Sequence, residues 1–126
     1  MMTLGAAPLI AFLATADAAR SRAFYADTLG LRLVDDSPFA LEFDVGGVML
    51  RIQKVETLTP HPFTALGWQV GDIGAQITEL AREGVVFERF AGLEQDGAGV
   101  WTSPSGARIA WFRDPDGNLL SLTEFP

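Results

Sequence analysis

The sequence predicts an α+β fold of two tandem β-α-β-β-β modules, and three observations predict it. A buried-strand pattern, an aspartate-capped amphipathic stretch and a glycine stop occur in that order twice. Each set is followed by segments in which apolar and polar side chains alternate. Glycine-rich or Asp-Gly turns separate those segments. With 126 residues, the chain is long enough for one domain and too short for two of ordinary size. Module one is expected over about 8–53, a linker over 54–63 and module two over about 64–126.

In module one, the run PLIAFLA from Pro8 to Ala14 reads as a buried strand. Asp17 stands where an N-cap would open a helix through AARSRAFYADTL, and Gly30 closes it. LRLVDD follows as a short strand. Phe39, Leu41 and Phe43 then alternate with Ala40, Glu42 and Asp44, the period of a half-buried strand. Gly46-Gly47 makes a hairpin turn, and in the next strand Val48, Leu50 and Ile52 alternate with Met49, Arg51 and Gln53. Pro60 and Pro62 mark the linker.

Module two repeats the order. Ala65 to Val70 is a strand and Asp72 a second N-cap; Ile73, Ile77 and Leu80 fall on one helical face, and Gly84 is the stop. VVFERF reads as the next strand and the loop GLEQDGAG leads to one around Trp101. Arg108 to Phe112 makes another, Asp116-Gly117-Asn118 turns, and Leu119 to Phe125 ends the module. One face of each sheet is covered by its helix. The other must be covered too, and a cavity closed by pairing of modules, within the chain or across a dimer, meets that need.

Composition removes several functions. The longest apolar run, near Leu9 to Ala14, is far short of the roughly 20 residues of a membrane span, and no basic segment precedes it as in a signal peptide, so the cytoplasm is the expected location. Without cysteine there are no disulfides, thiolate metal sites or thiol nucleophiles. With His61 as the one histidine, a Ser-His-Asp triad or a multi-histidine metal site within one chain is excluded in practice. A net charge of −7 disfavours nucleic acid and anionic membranes, which need clustered Lys and Arg.

The strings FYADTLGLRLV and AWFRDPDGNLLSLTEF, each at the matching place in its module, resemble the vicinal oxygen chelate superfamily, which contains glyoxalase I, extradiol dioxygenases and bleomycin-resistance proteins. The resemblance covers essentially the whole chain. It implies paired, curled sheets around a small-molecule cavity, but says little of activity, because one scaffold carries many functions. In metal-binding members, it implies a histidine at a fixed distance before each capping aspartate and a glutamate in each final strand. Here those positions read Ile10, Arg51, Ala65 and Ser121. The first three cannot ligate a divalent cation, and Ser121 alone is a weak ligand, so no metal and no cofactor are expected.

Arg51 is out of phase with Val48, Leu50 and Ile52 and is expected to point into the cavity, where Glu42 and Asp44 share its face. Two readings stay open: an internal ion pair with Glu42 or Asp44, or a fork donor for a ligand carboxylate, carbonyl or phosphate. Phe12 shares the phase of Ile10, Gln53 that of Arg51 and Gln69 that of Ala65, so all three are candidate lining residues with Ser121. Of three tryptophans, Trp68 faces its helix, Trp101 is a candidate cavity wall, and either Trp111 or Phe112 faces the cavity. His61 reads as an exposed linker residue, Glu124 as a surface or strand-end residue, and Asp114 and Asp116 as turn formers.

The reading these residues favour is a metal-free protein that holds a planar or aromatic small molecule between apolar and aromatic walls, resembling the antibiotic-sequestering bleomycin-resistance branch. Two alternatives remain: an enzyme like glyoxalase I or the dioxygenases with a lost or relocated metal, and a regulatory domain without a ligand. A homodimer is expected because an open sheet edge and an apolar face gain by pairing.

Overall fold

Asp17 and Asp72 open the chain's two longer helices through side-chain caps, accepting the Arg20 N–H at 3.2 Å and the Ala75 N–H at 3.0 Å. The computed structural model describes residues 3–126. They form two compact units, divided between Leu58 and Thr59.

In the first unit a short 3-10 turn, Leu4–Ala6, precedes β1 (Ile10–Thr15), α1 (Ala18–Arg22), a π-helical continuation (Ala23–Thr28), β2 (Arg32–Asp36), β3 (Ala40–Val45) and β4 (Val48–Lys54). The sheet order is β1-β4-β3-β2, with β1 parallel to β4 and the other pairs antiparallel. Alternation sends Leu13, Leu41, Phe43, Leu50 and Ile52 to the helix side, where they are buried with Tyr25. Gly46 and Gly47 both have positive φ, 58° and 88°, as a two-residue hairpin of the primed kind needs.

Two expectations change here. The helix ends at Thr28, just ahead of Gly30, but its second half widens to i→i+5 bonding, with the Leu29 N–H donating to the Phe24 carbonyl at 2.9 Å. The apolar pattern of AFYADTL does not distinguish a wider turn from an ordinary one. Phe39 lies ahead of β3 and is 74% exposed, because the strand starts only at Ala40. The elements are tied by Asp36, which accepts from Lys54 of β4 at 2.5 Å and from Arg22 of α1 at 2.8 Å. These two cations, Lys54 foremost, hold its carboxyl below the usual carboxylate range.

The second unit contains β5 (Leu66–Gln69), α2 (Ile73–Arg82), β6 (Trp101–Thr102), β7 (Arg108–Arg113) and β8 (Leu119–Glu124). Its order, β5-β8-β7-β6, with β5 parallel to β8, repeats that of the first unit. Ile73 and Ile77 of α2 are buried with Ala110, Phe112, Leu120 and Leu122, and Trp68 stacks on Phe112 at 6.4 Å. The buried Asp114 carboxylate holds the turn into β8 by accepting the N–H groups of Asp116 and Asn118 and the Asn118 side-chain amide, all within 3.0 Å.

VVFERF, expected as a strand, is not one. It lies beside β7 through one bridge, Phe87 with Phe112, and one bond from the Glu88 N–H to the Trp111 carbonyl. The backbone groups that would extend a ladder are taken by a side chain instead: Gln95 accepts from the Phe90 N–H and donates to the Glu88 carbonyl. Among the described residues, no helix is long and apolar enough to cross a membrane.

Candidate functional site

In each unit the face of the sheet away from the helix carries a row of three residues across three adjacent strands. In the first unit, register aligns Phe12 of β1, Arg51 of β4 and Glu42 of β3. The Arg51 guanidinium forms an ion pair with the Glu42 carboxylate, both side chains being mostly but not fully shielded, at 30% and 20% exposure. Asp44 is not the partner, because it accepts from Arg32 at 3.4 Å and from the Gly47 N–H at 3.0 Å. Phe12 stands beside the pair, 53% exposed, and exposed Gln53 lies one step along β4, opposite Ala14 and Ala40. A groove of about 390 Å³ runs along this face between Arg32, Val34, Glu42, Asp44 and Met49.

In the second unit the corresponding row is Gly67 of β5, Ser121 of β8 and Trp111 of β7. Trp111 takes the open face and Phe112 the helix face, where it is fully buried. The Trp111 indole lies 6.2 Å from that of Trp101, the rings inclined at 34°. Phe90 meets it edge-on at 5.5 Å and 85°. The Trp111 indole N–H donates to the Thr64 hydroxyl at 3.1 Å, which fixes the ring's direction. Ser121, between Trp111 and Gly67 in the row, is buried, 7% exposed, and close against Gly67. Gln69 is exposed, opposite Thr123. Gln95, Asp96, Val100, Trp101, Thr102 and Arg108 line a second groove of about 380 Å³.

The positions at which metal-binding members of the resembling superfamily would carry ligands do not fit a metal. Ile10 and Ala65 present hydrocarbon, Arg51 is a cation already paired with Glu42, and Ser121 offers one hydroxyl. Among the described residues, no group of three or more His, Asp or Glu side chains is placed to hold an ion. His61 stacks on Phe63 at 4.9 Å in the linker.

Three residues that sequence reasoning did not single out for these roles shape the second unit. Gln95 bonds three backbone groups around the aromatic cluster, and Phe90 supplies its edge contact. Glu124, read as a surface residue, accepts the Ile73 N–H at 2.9 Å across 51 residues and so joins Asp72 in capping α2. Only the apolar character of Phe90 was visible in the sequence; a loop glutamine and a strand-end glutamate leave no local sign of such partners.

A search of curated proteins found no significant match to the sequence. Several solved structures share the fold. TnmS3, an antibiotic binding protein from Streptomyces sp. CB03234, is 22% identical over 99% of this chain and 100% of its own, with a TM-score of 0.74. A lactoylglutathione lyase from Agrobacterium tumefaciens is 20% identical over 94% of this chain and 93% of its own, with a TM-score of 0.72. A glyoxalase family protein from Enterococcus faecalis is 21% identical over 93% and 94%, with a TM-score of 0.68. At such identities these likenesses establish the fold alone. A family profile matches residues 8–122, and with the repeated four-stranded topology this places the chain in the Glyoxalase/Bleomycin resistance protein/Dioxygenase superfamily.

Proposed function

We propose that this protein binds a planar, aromatic small molecule without a metal and without chemical change to it. The observation that carries the reading is the cluster of Trp101, Trp111 and Phe90 on the open side of the second unit's sheet, where two indoles and a benzyl ring meet in a geometry suited to stacking and edge contacts. By itself the first unit carries exposed Phe12, Met49 and Val34 around a satisfied ion pair, a separate surface able to take apolar groups beside Arg51 and Glu42. The fold likeness to an antibiotic-binding protein agrees with a sequestering role. Gln53 is assigned to the polar lining of the first unit's face, and Gln69 and Ser121 to that of the second, with Ser121 beside Trp111 across β7 and β8. The protein is read as a cytoplasmic homodimer that engages neither nucleic acid nor membranes, in keeping with its net charge of −7.

Titration with fused-ring aromatics, acridines such as proflavine and naphthalene sulfonates among them, followed by tryptophan fluorescence, tests this. Saturable quenching is expected, weakened about tenfold in Trp101→Ala, within the range of one lost aromatic contact. Absence of saturable quenching across the panel, or equal affinity in Trp101→Ala, refutes it.

A further inference from the structure

We infer that Gln95 is the positioning residue of the aromatic wall: its side-chain amide sets where Trp101 and Phe90 stand about Trp111, and so the planar ligand that the wall accepts. The inference rests on the binding reading above. Gln95 lies in the loop between the segment ending at Phe90 and the short strand β6. Its Oε1 accepts the Phe90 N–H at 2.8 Å, while its Nε2 donates to the Glu88 carbonyl at 2.9 Å and to the Gly99 carbonyl at 2.8 Å. Both amide hydrogens and the oxygen are therefore used. A flipped amide would set its oxygen against two carbonyls and its NH2 against an N–H, so the orientation is determined.

The three bonds join the loop's two flanks. Glu88 and Phe90 lie on one side, and Gly99, two residues before Trp101, lies on the other. The backbone of Gln95 also bridges Trp101 itself. The approach is close: Gly99 has a φ of 92°, and a Cβ there would sit 3.4 Å from the Phe87 Cβ. Other bonds fold the loop's tip or tie it to Arg89 on the first flank. Arg89 donates to the Asp96 and Gly97 carbonyls at 2.7 and 2.9 Å, and the Asp96 carboxylate accepts the Ala98 and Val100 N–H groups at 2.9 Å. Loss of the Gln95 amide thus leaves the tip folded and each flank paired to β7, Glu88 through the Trp111 carbonyl and Trp101 opposite Ile109, but removes the side-chain bonds that join the two flanks directly.

Far-UV circular dichroism of the full chain reads this directly, because two indoles 6.2 Å apart couple and give an exciton couplet that Trp101→Phe removes. Gln95→Ala is expected to reduce the couplet at least twofold and to weaken proflavine binding about tenfold. Gln95→Glu keeps the acceptor but lacks both donors at neutral pH, and is expected to change the couplet in the same direction. Ile77→Val, a core change in α2, lowers the melting temperature but leaves the couplet intact, which separates positioning from general stability. A full-strength couplet in both Gln95 variants overturns the inference. If proflavine and the rest of the panel fail to bind the unaltered protein, the binding reading fails, and the couplet still decides the role of Gln95.

Discussion

Arg51 and Glu42 stand directly opposite each other on β4 and β3 and form an ion pair across the strands. With both side chains partly exposed, the pair falls between a surface salt bridge and a fully buried one. Arg51→Ala is therefore expected to cost about 1–2 kcal/mol in urea unfolding, less than the loss of a buried partner and more than that of a surface one. Glu42→Gln in the same background should recover part of it, since no carboxylate is left unpaired. A cycle with no coupling between the two positions would show that the pair does not contribute to stability.

Gly67 is required by Ser121. A Cβ at Gly67 would lie 2.6 Å from the Ser121 hydroxyl oxygen and 3.3 Å from its carbonyl oxygen. Gly67→Ala is expected to destabilise by about 1–3 kcal/mol through overpacking. Ser121→Gly, added to it, should restore part of the loss, because the nearest clashing atom is removed. Additive losses in the double variant would show that the two positions are not in contact.

Glu124 and Asp72 share the capping of α2, so Glu124→Ala should cost about 0.5–2 kcal/mol, and Glu124→Gln, which keeps an oxygen acceptor for the Ile73 N–H, less. Amide exchange at Ile73 checks this independently of global unfolding. Equal protection at Ile73 in Glu124→Ala would rule the cap out.

Stability should fall in acid through Asp36 and Asp96. Asp36 is held low by Lys54 and Arg22, and Asp96 by the Val100 and Ala98 N–H groups. A depressed folded value means that the unfolded chain binds more protons between the two values, so stability rises with pH there. The contribution is fully present above the ordinary aspartate value of about 3.9 and is lost as pH falls through the depressed one. Asp36→Asn should flatten the stability profile below about pH 4, while a slope unchanged from the parent would remove Asp36 from the account.

Sedimentation at micromolar concentration should return twice the chain mass of 13.6 kDa. Within its sheet β1 is an edge strand, and Leu9 just before it and Ile10 and Phe12 along it are 73%, 46% and 53% exposed, which favours pairing with a second apolar surface. A single-chain mass that persists as concentration rises would exclude the dimer.

The sequence by itself determined what depends on neighbours along the chain. Asp17 and Asp72 as caps, Gly46-Gly47 and the Asp114 to Asn118 turn as reversals, and the alternation that sets Phe12 and Arg51 on one face all act within a few residues, where backbone preference and period decide. Tertiary structure decided what depends on register and on partners far away. Arg51 could have paired with Asp44 by alternation alone, but the β3–β4 register sets Glu42 opposite it. Either Trp111 or Phe112 could have faced inward, and the place of Phe112 beneath Trp68 and beside Phe87 settled which. VVFERF reads as a strand in the sequence, yet Gln95 took the bonds that a ladder would need, and Glu124 reached a helix 51 residues away. A side chain's hydrogen-bond partner is chosen by proximity in space after the sheet has formed, and such proximity leaves no period and no local motif in the chain.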